Sequence, residues 1–413
     1  MEFDLIIKDD ARIKQYESWE ENEEIQIFRE YLRIPSVHPN IDYRDCVRFL
    51  FRLAEEIGLT SKVYHPVEKT KPVVVISLFG TQPELKTIIL NSHMDVVPVF
   101  EEYWTHKPFD AEMDEDGRIF ARGAQDMKCC GMQYLGALRY FKRKNVTFKR
   151  TIHVVFVPNE ELGGQGGMAD FVHTTEFRSL NAGFSIDEGI ASPTDTFNIY
   201  YAERCIWHII FTINGNNGHG ALLLKDTAPE RLRTLLDRFY DYRDTQVRKL
   251  QDNPDLTIGD VTTVNITMIN GGVQLNTVPP NIKIMTDIRL AVDINHEEFE
   301  NMVKSWCSEA GDVEYEFDLK DPYIQPTSLD ESNIYWGAFK SAVSEIGIKT
   351  KVQVFPGGTD SRYLRSVGLP AIGFSPMNNT PVLLHDHDEF LQADVYLEGI
   401  EIYKKIINNV ANA

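Results

Sequence analysis

Disulfide chemistry is the first thing this sequence lacks. Five cysteines (Cys46, Cys129, Cys130, Cys205 and Cys307) are scattered through 413 residues, with no C-x-x-C pair. A sparse, odd set of this kind excludes a disulfide-stapled scaffold and points to a reducing, cytoplasmic compartment. Basic residues are short as well: 42 Lys+Arg stand against 62 Asp+Glu, a net charge of −20. That field repels phosphate backbones and anionic lipid, so neither a nucleic-acid nor a membrane partner is expected. Long apolar runs are missing too, and the longest, over residues 72–79, is far too short to span a bilayer. The first ten residues are acidic and carry no extended apolar stretch, which argues against a secretory leader. What remains is an ordinary globular composition, 43% hydrophobic and 25% charged, long enough for two or three domains.

The periodicity of the first half alternates. Apolar residues over 25–34 and at Val47, Leu50, Phe51, Ala54 and Ile57 fall at helical spacing, as they do over 127–142. Short β-branched runs at 73–76, 87–90, 152–157 and 182–186 read as buried strands. Continuous apolar strands alternating with helices predict an α/β fold, a sheet with helices on both faces. From about 200 to 319 the texture changes to about four strands and two helices, a compact α+β unit. The last third returns to α/β, closing with a helix over 395–410. The expected organisation is therefore a discontinuous core, 1–199 and 320–413, interrupted by an inserted domain at 200–319.

The informative polar residues lie where strands end. The strand over 87–90 runs into Asn91-Ser-His93-Met-Asp95, that over 152–157 into Pro158-Asn-Glu160-Glu161, and that over 182–186 into Asp187-Glu188-Gly189. Open α/β sheets bind ligands at the carboxyl ends of their strands. Each deposit alone is unremarkable, since a His-x-Asp pair or a Glu-Glu is commonly surface. Three in succession, with Asp126 at a helix start, predict a site for a hard or borderline cation. Asp126 as a simple helix N-cap is the bland alternative. Zinc takes imidazole nitrogen and carboxylate oxygen, and a pair of ions can clamp the oxygens of a hydrolytic transition state. Glu160 and Glu161, pointing different ways in an extended segment, could divide the roles of proton acceptor and ligand. Asp95 is placed to orient the His93 imidazole.

Taken together, His93-x-Asp95, Arg122-Gly-Ala-Gln-Asp126-Met-Lys128, Glu160-Glu161, Asp187-Glu188-Gly189 and Leu384-His385-Asp-His-Asp-Glu389 resemble, in order and spacing, the dizinc aminoacylase/carboxypeptidase superfamily. The resemblance covers nearly the whole chain. It implies a mixed-sheet zinc-peptidase core with an inserted dimerisation (lid) domain, two zinc ions per subunit, and hydrolysis of N-acyl-L-amino acids. One zinc would be held by His93 and Glu188, the other by Glu161 and His385, with Asp126 bridging and Glu160 as general base. His387 competes with His385, and Asp187 with Glu188. Asn159 stands where an aspartate is common. In the inserted domain, Asn216-Asn-Gly-His219-Gly resembles a motif whose His reaches across a homodimer to the oxyanion, although Gly220 replaces the usual Ala. Asn276, in Gly271-Gly-Val-Gln-Leu-Asn, and Arg289, in Asp287-Ile-Arg, resemble substrate contacts. Arg362, in Gly357-Gly-Thr-Asp-Ser-Arg, resembles a carboxylate-binding residue. A dipeptidase or an acetylornithine-type deacetylase would use the same zinc machinery.

Other classes fit less well. Gly164-Gln-Gly166-Gly-Met-Ala169 matches a dinucleotide fingerprint in spelling, but the glycines begin several residues after the strand, and Glu160-Glu161 would repel a pyrophosphate. Neither Ser185 nor Ser375 has the glycine that a nucleophile elbow needs after it. A binding protein that kept the fold but lost the chemistry would be expected to have lost at least one ligand.

Overall fold

Runs of Val and Ile form the central strands because both faces of their sheet are covered. Along Val73–Leu78 and Ile152–Val157 alternate side chains enter two separate cores: Val74, Ile76, Val154 and Phe156 on one face, Val73, Val75, Val155 and Val157 on the other. The computed structural model describes residues 14–413, so the acidic N-terminal ten residues lie outside the described part. One compact unit comprises the described residues up to Tyr201 with Thr327–Val352 and Thr359–Ala413; the other comprises Ala202–Pro326 and Gln353–Gly358.

The first unit is built on an eight-stranded mixed sheet. In order across it run Thr60–Tyr64, Val73–Leu78, Ile152–Val157, Thr87–His93, Ala182–Asp187, Ala371–Gly373, Thr196–Glu203 and Lys349–Phe355. The helix Lys128–Arg143 packs closely against two of these strands. A Cβ on Gly131 would fall 2.6 Å from the Phe156 ring and 2.7 Å from Ser92 Oγ, so only glycine fits there. Two strands were not legible from periodicity. Thr60–Tyr64 is a half-exposed edge strand without an apolar run, and Thr196–Glu203 is interrupted by polar residues.

The second unit is an antiparallel sheet of four strands, Thr263–Gly271, Asn281–Leu290, Cys205–Asn214 and Glu314–Lys320, with the helices Ala228–Gln251 and His296–Glu309. Cys205–Asn214 alternates buried and half-buried residues, the pattern of a sheet with a single covered face. Its buried side contributes Trp207 and Phe211, packed edge-on against Phe299 and Phe239 of the helices. Thr227 and Glu230 form a reciprocal capping box at the start of the longer helix. Among the described residues no helix is long and apolar enough to cross a membrane.

Candidate metal centre

Three neighbouring parallel strands of the first unit deliver their carboxyl ends to one edge. Thr87–His93 lies in the middle, with His93 opposite Val157 on one side and Leu90 opposite Ile186 on the other. The chain leaves Thr87–His93 toward one neighbour and then crosses over it to reach Ala182–Asp187. Connections that diverge in this way open a crevice at the strand ends. His93, Glu160, Glu161 and Glu188 all enter that crevice.

Two further segments complete it. Lys128 opens its helix behind Met127, whose side chain makes no cap, so Asp126 is free of the N-cap role. The small sheet formed by Arg118–Phe120 and Phe390–Gln392 brings residues 385–389 beside residues 121–126. As a result Asp126 presents its two oxygens to two imidazoles. Oδ1 lies 2.9 Å from His93 Nε2, and Oδ2 lies 3.3 Å from His385 Nε2. His93 Nε2 is also 3.7 Å from Glu188, and His385 Nε2 is 3.1 Å from Glu161. Ligand-type atoms of His93, Glu160 and Glu188 lie within 4.8 Å of one another, as do those of His93, Asp126 and Glu161.

The electrostatics of this cluster are those of a site built for positive charge. Burial, followed by repulsion from Asp126, raises the pKa of Glu188 well above the ordinary value and raises that of Glu161. Loss of hydration also lifts Glu160 strongly, with Asp360 and Glu161 adding to it. Burial opposes a charged His93, but its hydrogen bonds to Asp126 and Glu188 prevail and hold the pKa well above that of a free imidazole. Hydrogen bonds to Asp126 and Glu161 lift His385 to about 10. A shared carboxylate, two imidazoles and flanking carboxylates form a nitrogen–oxygen donor set that suits a pair of divalent cations.

The sequence pattern that defines peptidase family M20/M25/M40 matches residues 89–409. The chain belongs to this family. It is 45% identical to human aminoacylase-1 over 394 residues, 95% of this chain and 96% of that protein. Its fold resembles that of an M20-family metallo-carboxypeptidase from Sulfolobus solfataricus, with a TM-score of 0.71 at 19% identity, covering 94% of this chain and 99% of the other. A dinuclear metal-binding M20 peptidase from Bacillus subtilis aligns at a TM-score of 0.64 and 16% identity over 93% and 96% of the two chains. The chain is thus a hydrolase of amide bonds, built as a metallopeptidase.

In this M20 chain the remaining residues sort by local geometry. The Asp187 carboxylate turns away from the cluster to accept from Asn91 (2.9 Å) and Ser361 (2.8 Å), so Glu188 is the one that faces His93. The His387 ring stacks on Tyr103 at 5.2 Å, whereas His385 faces Asp126 and Glu161. Asp95 does hold the His93 ring, but through its main chain. His93 Nδ1 is hydrogen-bonded to the Asp95 main-chain carbonyl at 2.8 Å, with the nearest carboxylate oxygen 3.8 Å away. That carboxylate instead accepts the main-chain N–H groups of Glu160 (3.2 Å) and Glu161 (3.1 Å), and it pairs with His38 at 2.8 Å.

The Glu pair itself is not extended. Asn159 takes a left-handed conformation (φ 63°), and Glu160–Leu162 form a turn of 3₁₀ helix. Asn159 Oδ1 accepts from Lys71 (2.8 Å) and Tyr43 (3.1 Å), while its Nδ2 donates to the Gln165 carbonyl (2.8 Å). The side-chain amide therefore serves the turn that aims Glu160 and Glu161. The glycines that spelled a dinucleotide motif belong to the same turn. Gly164 has φ +72°, and a Cβ there would meet the Tyr363 ring at 2.6 Å. Packing, and not a pyrophosphate, requires it.

Arg362, on the short helix Ser361–Ser366, lies over the Tyr363 ring, and a Cβ on Gly163 would be 3.9 Å from its guanidinium. In the second unit, His219 and Asn276 are neighbours. Gly218–His219 pairs with Thr277–Val278, Gly220 N–H donates to the Asn276 carbonyl at 2.8 Å, and both side chains are exposed. Arg289 is elsewhere in that unit, in a bidentate pair with Asp287 (2.7 and 2.9 Å), inside a cavity of about 780 Å³ also lined by Arg204 and Arg243. Sequence reasoning missed His38, Asn91 and Asp360. Asp360 is buried and accepts from Asn91 at 3.2 Å; burial and then Asp187 push it up to about 8. Its only signal was its place in the Gly357–Arg362 motif.

Proposed function

We propose that this chain hydrolyses N-acyl-L-amino acids, N-acetyl amino acids among them, to a free L-amino acid and a carboxylate, using two zinc ions. The observation that carries this reading is a likeness to aminoacylase-1 running over 95% of the chain, in a molecule whose candidate ligands converge on Asp126. His93 and Glu188 would hold one ion, Glu161 and His385 the other, and Asp126 both. Bound there, the ions polarise the scissile carbonyl and ease the ionisation of water near neutral pH.

The chain's own residues carry the proton. Glu160, already raised by loss of hydration, accepts a proton from water as the oxygen adds to the carbonyl carbon. It returns that proton to nitrogen as the C–N bond breaks. Asp95 steadies both Glu main chains while this happens. Arg362 is assigned to the substrate's carboxylate, and Asn276 and Arg289 are each assigned a polar contact with substrate. Assigning the substrate carboxylate to the guanidinium of Arg362 rests on the bidentate geometry that pairs these groups.

His219 is assigned to the oxyanion of a partner subunit in a homodimer. Its exposure, and the exposed Met268 and Ile269 on the edge strand Thr263–Gly271 of the same unit, support that assembly. On this reading, inactive His219→Ala and Glu160→Gln chains regain part of the activity when mixed and reassembled. No recovery in proven heterodimers rules out action in trans. The sparse cysteine content, five in 413 residues with no C-x-x-C pair, supports a cytoplasmic enzyme.

A substrate panel tests the reading as a whole. N-acetyl-L-methionine and other N-acetyl amino acids are expected to be cleaved with kcat/KM at least tenfold above that for dipeptides or N-acetylornithine, on protein of measured zinc content. Preference for either of the other two classes would move the assignment to a dipeptidase or an acetylornithine-type deacetylase.

A further inference from the structure

Of the ligands grouped around Asp126, His385 is the least secured by its own surroundings. It is exposed, sits on a loop at φ 61°, and among the described residues its imidazole pairs with Asp126 and Glu161. His93, by contrast, ends a buried strand and has its second nitrogen held by a main-chain carbonyl. A ligand on an exposed loop needs an anchor if it is to keep its distance from the carboxylate it shares an ion with.

The anchor is a buried pair of residues 267 positions apart in sequence. Glu389 is fully buried and accepts from the main-chain N–H of Gly123 (3.1 Å), Gln125 (2.6 Å) and Asp126 (3.3 Å). Its fourth partner is Arg122 Nη1 at 2.9 Å. The Arg122 guanidinium in turn donates to the carbonyls of His385 (3.3 Å) and Asp386 (3.0 Å) while lying 5.2 Å from the Trp104 ring. Each residue thus holds the main chain of the other's loop. One loop carries Asp126, the other His385.

We propose that Arg122 and Glu389 are positioning residues that set the spacing between Asp126 and His385, and through it the affinity of the cation position these two share with Glu161. The inference rests on the dinuclear reading above. It carries an asymmetry that a purely structural pair would not: the position of His93 and Glu188 depends on the pair only through Asp126, while the other depends on it through both Asp126 and His385, so the first loses less affinity.

Competition against a chromogenic zinc chelator, with thermal melts on the same samples, tests this. Wild-type protein is expected to hold two zinc ions tightly. Glu389→Gln keeps the shape but removes the charge, and Arg122→Lys keeps the charge but loses the fork. Both are expected to bind the ion shared by Asp126, Glu161 and His385 about 10–100-fold more weakly, the range typical for residues that orient metal ligands, and the other ion with a clearly smaller loss. The double variant should be weakened by much less than the product of the two single effects, because the residues act as one device. Unchanged affinity for both ions in the folded variants, or equal weakening of both, overturns the proposal. If one variant does not fold the other decides; if neither folds, the pair holds the fold and the proposal fails. A wild-type protein that binds fewer than two ions would instead sink the dinuclear reading itself.

Discussion

Glu160→Gln is expected to lower kcat by on the order of 10²–10⁴-fold, the usual contribution of a general acid–base residue, while KM and metal content change little. The substitution is nearly isosteric, so the turn made by Asn159 and the two main-chain bonds to Asp95 stay in place. What disappears is the ability to accept a proton. Neither imidazole forms an ion pair with Glu160 among the described residues, whereas Glu161 and Glu188 each face one, and this is why Glu160 and not Glu161 is given the role. Steady-state kinetics with N-acetyl-L-methionine and elemental analysis of the same sample decide the matter. Loss of zinc would make Glu160 a ligand, and a near-normal kcat would remove it from the chemistry. Glu161→Gln should do the reverse, with loss of metal accompanying the loss of rate.

Removal of metal is expected to have the largest effect of all. Dialysis against a strong chelator should abolish hydrolysis, and added zinc should restore it. Without cations the cluster has only His93 and His385 to set against the carboxylates of Asp126, Glu160, Glu161 and Glu188. Burial first, and then repulsion among the carboxylates, raises the pKa of three of those four. The metal-free protein should therefore also melt at a lower temperature, by the linkage that lets a tightly bound ligand stabilise the state it binds. The sign with pH follows from the imidazoles. His93 and His385 are both raised, so at neutral pH an entering cation displaces protons, and apparent affinity falls as pH is lowered. Proton release into a weakly buffered solution on zinc addition measures this. Full activity in demonstrably metal-free protein would defeat the scheme.

Much of the molecule was legible before folding was considered, for reasons particular to certain residues. Ile152–Val157 is a strand of the length its β-branched run suggests, because a strand buried on both faces needs no polar alternation. The Lys128–Arg143 and Ala228–Gln251 helices follow from apolar spacing. His93 and the Glu160–Glu161 and Asp187–Glu188 pairs could be picked out as candidates because metal chemistry restricts residue type and because they follow strands that share an edge; His385 and the choice within each pair came from the family resemblance.

Residue order alone was enough for an α/β fold and a candidate cation site, since periodicity and residue type survive in one dimension, and its motifs carried the resemblance to the zinc-peptidase superfamily. Only the tertiary structure decided which of adjacent candidates faces the site. Asp187 against Glu188 and His385 against His387 are choices of side-chain direction, settled by Asn91, Ser361 and Tyr103 from distant parts of the chain. It also gave the imidazole to the Asp95 carbonyl and the Glu160–Glu161 turn to the Asp95 carboxylate, and it brought Arg122 to Glu389. Hydrogen bonds between residues hundreds of positions apart leave no periodic trace in sequence. They form only when the sheet has brought the loops together.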